Sequence, residues 1–180
     1  PVTAHDFVFA WRNVVDPKTA SQYAFILYPV KNAEAINQGN KPLTDLGIEA
    51  IDDFTLQITL ERPTGYFLKL TAFVTTFPVQ EKFYRATGSA YAADSKDILY
   101  NGAFRISDWV HSASLKMEKN PNYWNSEAIS LEVIDAEYIT ADTRARLNLF
   151  IDDKIAYTQL DGETYKDALN NQFRIKKFVT

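Results

Sequence analysis

Short runs of helical and strand periodicity alternate from one end of the chain to the other, and a proline, a glycine or an Asp-rich turn cuts nearly every run. That punctuation limits the chain to short elements. With both periods present throughout, the fold class is mixed, α/β or α+β, without internal repeats or low complexity. No apolar run approaches the roughly 20 residues that a membrane-spanning helix needs.

The order of elements follows from the breakers. Thr3 and Asp6 are spaced as a capping box, with Asp where Glu or Gln is usual, and Phe7, Val8, Trp11, Val14 and Val15 then recur at helical spacing until Asp16-Pro17. A second helical stretch is expected over about residues 22–38, closed by Gly39 and kinked or split at Tyr28-Pro29. Ile48-Glu49-Ala50-Ile51 and Thr55-Leu56-Gln57-Ile58-Thr59-Leu60 alternate around Asp52-Asp53 and predict a β-hairpin. Pro63-Thr64-Gly65 opens a short helix through Leu70, residues 73–79 form an apolar crossing segment, and a helix from Gln80 to Ala86 ends at Gly88. Beyond a polar loop, strands are expected at Gly102–Ile106, Ser114–Glu118, Ile134–Ile139, Ile155–Gln159 and Phe173–Val179, with helices over Asp142–Phe150 and Glu163–Leu169. Elements before residues 74–82 are helix-rich and later ones strand-rich, which predicts a lobe boundary near 78/79.

Composition narrows the function classes. A formal net charge of -4 with interspersed signs leaves no basic stripe for phosphates, which argues against nucleic acid. No cysteine is present, so disulfides, zinc–thiolate sites and thiol chemistry are excluded. The 12 Phe, 10 Tyr and 3 Trp serve cores and ligand-lined clefts alike, so their number does not choose between the two.

No catalytic or metal constellation is evident. His5 and His111 have no Cys, Ser or carboxylate at the spacing of a triad or a metal site. Asp52-Asp53 and Asp152-Asp153 could bind a cation or do acid–base work, but both fall at element junctions, where Asp favours turns. No EF-hand, P-loop or GxGxxG is present. Asn120-Pro121-Asn122-Tyr123-Trp124-Asn125 is read as a turn carrying a buried aromatic pair.

Taken in order, several segments resemble the oligopeptide- and dipeptide-binding proteins of bacterial ABC importers, family 5 of the extracellular solute-binding proteins. They are Pro1-Val2-Thr3-Ala4-His5-Asp6-Phe7-Val8 with Trp11, Asp16-Pro17-Lys18-Thr19-Ala20-Ser21, Asp45-Leu46-Gly47 and Asp52-Asp53. Pro63-Thr64-Gly65-Tyr66-Phe67, Asn101-Gly102-Ala103-Phe104 with Trp109, and Lys119-Asn120-Pro121-Asn122-Tyr123-Trp124 complete the series. The loop from Ser89 to Tyr100 is more similar to Gram-positive members.

The resemblance implies a mixed α/β (α+β) fold of the class II periplasmic-binding-protein type, of which this chain is a fragment. Residues 1–78 would belong to the extra lobe of the large members and residues 79–180 to part of the first ligand-binding lobe. Both ends of the chain read as cut, since the first residue is Pro1 and Thr180 closes an uncapped strand. The implied activity is non-enzymatic capture of a peptide as an added strand, with an oligopeptide ligand, a membrane ABC permease as partner, no cofactor and a monomeric state. The implied location is extracytoplasmic, as a Gram-positive surface lipoprotein or in a Gram-negative periplasm. Tyr23 and Phe73 align with positions bordering the ligand, with Gln22 where Pro is common and Phe73 where some members carry His; Phe73 could equally be core. Tyr157, Gln159 and Leu160 lie in the segment implied to run beside the peptide, although Asp153-Lys154-Ile155-Ala156 departs from the usual Gly-Glu-Ile-Asp. A specialised ligand (signalling peptide, cell-wall peptide, nickel or haem) and an adhesion module are the alternatives on the same scaffold.

Overall fold

Capping and periodicity at the start of the chain translate directly into the first helix of the computed structural model, which describes residues 1–137, 141–171 and 173–175. Helix α1 spans Ala4–Val15. Thr3 N–H donates to Asp6 Oδ2 at 2.8 Å, and Asp6 N–H to Thr3 O at 3.2 Å, so the short Asp closes the box. The helix buries Ala4, Ala10, Trp11 and Val15. The chain divides into two compact units, Pro1–Gly102 and Ala103–Thr180.

In the first unit the expected second helix is split, as Pro29 requires. A 3-10 turn covers Ala24–Leu27, and α2 covers only Ala33–Asn37, closing at Gly39 with φ 77°. Strands β1 (Ile48–Ala50) and β2 (Leu56–Ile58) pair antiparallel, Ile48 opposite Ile58. Asp52 makes their turn by accepting Phe54 N–H at 2.7 Å and Thr55 Oγ1 at 2.9 Å, which holds its carboxyl below the usual range. Helix α3 is Phe67–Leu70 and α4 is Glu81–Thr87, the latter capped by Gln80 accepting Phe83 N–H at 2.7 Å.

Trp11, Val15, Leu27, Val30, Ala33, Ile36, Leu46, Ile48 and Phe67 form the core of this unit. Each large aliphatic side chain buried there contributes about 1.5–3 kcal/mol. Helix α4, assigned to the later lobe in the sequence reading, packs on α1 through Phe9 and Tyr84, whose ring centroids lie 5.4 Å apart. This contact keeps α4 within the first compact unit, which ends at Gly102.

In the second unit β3 (Phe104–Val110), β4 (Ser114–Lys119) and β5 (Val133–Ala136) form an antiparallel sheet in that order. The register slips between Ile106 and Asp108, so Ile106 pairs with Met117 and Trp109 with Leu115. Ile106 and Trp109 thus share a face although they are three residues apart, and β3 runs past the expected end at Ile106. Helices α5 (Thr143–Ile151) and α6 (Thr164–Asn170) follow, joined by the Arg144–Asp167 ion pair.

Three sequence expectations need correction. Residues 155–159 form no strand, because alternation alone makes no ladder and no described strand pairs with them. The expected strand at 173–179 begins with three residues, 173–175, that are not in a strand; its remainder, like the end of the strand expected to reach Ile139, lies outside the described residues. Trp124 is not buried: it is 84% exposed, and Tyr123 alone of the pair is half-buried, their centroids 5.7 Å apart. The turn itself is present, with buried Asn120 accepting Asn122 N–H at its Oδ1 at 3.1 Å.

Candidate ligand-binding site

The 3-10 turn at Ala24–Leu27 buries Ala24 and Leu27 in the core and leaves the rings of Tyr23 and Phe25 outside, 50% and 54% exposed. Tyr23 enters this turn with its carbonyl accepting Ile26 N–H at 3.1 Å. Fifty residues on, Phe73 precedes a second 3-10 turn, Val74–Thr76. Its ring centroid lies 5.6 Å from that of Tyr23, which itself lies 6.1 Å from Phe25. Phe73 is 38% exposed, so the reading of this residue as plain core does not hold.

What fixes Phe73 is buried Thr76. Its hydroxyl lies 2.7 Å from Phe73 O and 2.9 Å from Thr71 O, while its own carbonyl accepts Trp11 Nε1–H at 2.9 Å. Trp11 also meets Phe67 edge to face, at 6.3 Å between centroids. The ring cluster is therefore carried on a turn bolted to the core by a buried indole N–H. Thr76 and Phe25 carried no sequence signal: one is a hydroxyl inside an apolar run, and the other lay in a stretch read as helix.

In the second unit, Tyr157, Gln159 and Leu160 lie on the irregular segment between α5 and α6 rather than on a strand. Tyr157 is 67% exposed, Gln159 is exposed and Leu160 half-buried. Asp161 ends the segment: its Oδ1 accepts Thr164 N–H at 2.9 Å, the Thr164 hydroxyl at 2.8 Å and Glu163 N–H at 3.0 Å. These bonds, led by the Thr164 amide, hold its carboxyl down at about 2.

Asp152 and Asp153 close α5 and turn the chain, Asp153 at φ 54°, so the second acidic pair also makes a turn. Among the described residues no group of three or more His, Cys, Asp or Glu is placed to hold a metal ion. Nor is any helix among them long and apolar enough to cross a membrane.

Residues 1–177 match the family described as bacterial extracellular solute-binding proteins, family 5 Middle. The chain belongs to that family. It is 42% identical over 135 residues to the oligopeptide-binding protein OppA of Bacillus subtilis, an alignment covering 75% of this chain and 25% of that protein. Among solved structures, the substrate-binding domain of an oligopeptide ABC transporter from Bacillus anthracis superposes with a TM-score of 0.87 at 42% identity, over 96% of this chain and 33% of the other. OppA of Listeria monocytogenes bound to peptide gives a TM-score of 0.87 at 39% identity, over 96% and 34%. The fold is thus that of the periplasmic-binding-protein-like members, and the chain spans a quarter to a third of these relatives' length. Members of the family are extracellular solute-binding proteins.

Proposed function

We propose that the complete protein carrying this chain captures oligopeptides outside the cytoplasm and delivers them to an ABC-type importer, without catalysing a reaction on them. The observation that carries this reading is the exposed Tyr23–Phe25–Phe73 cluster, held on a rigid turn in a chain whose relatives include peptide-binding proteins. Exposed rings fixed by buried hydrogen bonds are suited to side chains of varied shape, because ordering the wall costs little on binding. Tyr157, Gln159 and Leu160 are proposed as further contacts. An exposed, unladdered segment can offer its backbone to an extended peptide.

On this reading no cofactor takes part, the receptor is a monomer that meets a membrane permease, and it sits on a Gram-positive surface as a lipoprotein. Residues 1–78 would serve in the extra lobe and residues 79–180 in the first ligand-binding lobe of the complete protein.

Replacing Tyr23 or Phe73 by Ala in the complete protein tests the site. Each should weaken peptide affinity by about tenfold or more, as removal of a buried aromatic anchor does at other interfaces, while leaving the thermal midpoint nearly unchanged because both rings are substantially exposed. Unaltered peptide affinity in both variants would remove these residues from the site.

A further inference from the structure

Phe25 also lines a separate, half-open cleft of about 430 Å³ inside the first unit. The rings of Phe25, Tyr28 and Tyr66 wall it, and Glu34, Glu61 and Arg62 supply its charges. Its volume is within the range of small-molecule sites.

Paired backbone frames the cleft. Lys31 N–H donates to Thr59 O at 2.9 Å, Glu61 N–H donates to Pro29 O at 2.8 Å, and Val30 bridges Leu60. Asn32, at φ 64°, donates its N–H to Glu61 Oε2 at 2.9 Å and so fixes that carboxylate. Asn32 is itself tied down, with Nδ2 donating to Asp45 O and Oδ1 accepting from Lys41 Nζ, both at 2.7 Å. Glu34 accepts only a long bond, from Gln38 Nε2 at 3.3 Å. Among the described residues the Arg62 guanidinium has no hydrogen-bond or ion-pair partner, since only its backbone carbonyl is engaged, by Thr64 Oγ1.

Two carboxylates and one guanidinium around one aromatic-walled cleft match a molecule carrying an ammonium and a carboxylate on a short skeleton. The ring faces add attraction for the ammonium and apolar surface for a side chain. We propose that this cleft is an accessory site for a zwitterionic α-amino acid or dipeptide with an apolar side chain. The ammonium meets Glu34 and Glu61, and the carboxylate meets Arg62. The site shares only Phe25 with the Tyr23–Phe73 cluster and stands independently of the peptide capture proposed above. All three charged residues are exposed, so the affinity belongs at about 1 mM or weaker.

Amide spectra of the isotope-labelled complete protein, titrated with Leu-Leu, N-acetyl-Leu-Leu and Leu-Leu-amide, test the assignment. Free Leu-Leu should produce saturable shifts across residues 25–34 and 61–66. Blocking either end should weaken them about two- to fivefold, the worth of one exposed charge pair. Arg62→Gln should weaken Leu-Leu similarly but leave Leu-Leu-amide unchanged. Should that variant lose its dispersed spectrum, Arg62→Lys, which keeps the charge but not the fork, replaces it and should show a smaller loss in the same direction. The proposal is overturned by equal shifts from free and blocked dipeptides, by shifts at Tyr23 and Phe73 without any at 61–66, or by silence up to about 10 mM.

Discussion

A few single residues decide where the candidate site sits. Thr76 is 2% exposed and ties the Phe73 turn to itself and, through Trp11, to the core. Thr76→Val keeps the shape but removes the hydroxyl that meets the carbonyls of Thr71 and Phe73, while the Thr76 N–H still donates to Phe73 O at 2.9 Å, so it should cost about 1–2 kcal/mol in urea unfolding. An unchanged midpoint would show that the hydroxyl does not hold the turn. Gly47 is constrained differently. A Cβ there would lie 2.6 Å from Thr59 O and 2.7 Å from Lys31 Cβ, in the middle of the bonds Gly47 N–H to Lys31 O (2.9 Å) and Thr59 N–H to Gly47 O (2.8 Å). Gly47→Ala must push backbone apart and should destabilise by about 1–3 kcal/mol. Calorimetric melting checks this, and a midpoint equal to the parent's would refute the close approach. Neither constraint could be read from sequence, where Thr76 and Gly47 are one Thr in an apolar run and one Gly at the head of a strand.

At the level of elements, legibility tracked how local the determining interaction is. The capping box at Thr3 and Asp6, the break at Pro29, the stop at Gly39 and the Asp52 turn were all readable because their physics spans a few residues. Strand β3 was cut short in the sequence reading because the slip between Ile106 and Asp108 breaks the period of two. Residues 155–159 were misread because a strand is defined by its partner, which alternation cannot supply. The same principle makes α6 sensitive to acid. The Asp161 carboxyl is held at about 2 in the folded chain, against an ordinary value of about 3.9 when unfolded. A depressed folded value stabilises fully above the unfolded one and is lost as pH falls through the folded one. Asp161→Asn, which still caps, should therefore flatten the stability profile between about pH 4 and 2. Acid unfolding followed by circular dichroism reads this out, and parallel profiles for parent and variant would contradict it.

The whole molecule is where sequence and structure contribute most unequally. Mixed architecture and family membership were legible because motif order persists over residues 1–177. The Tyr23–Phe73 contact was not, because the two rings meet across 50 residues through packing of a shared core. This chain covers about a quarter of OppA of Bacillus subtilis, so the peptide capture proposed above is assigned to the complete protein. A partial site leaves much of a peptide's backbone solvated and its ends unpaired, and binding energy does not add up from fragments. Calorimetric titration of the complete protein with tri- to octapeptides, beside the isolated 180-residue chain, tests this directly. Peptide capture predicts saturable binding by the complete protein and none measurable by the isolated chain. No binding by the complete protein at any peptide length would contradict it.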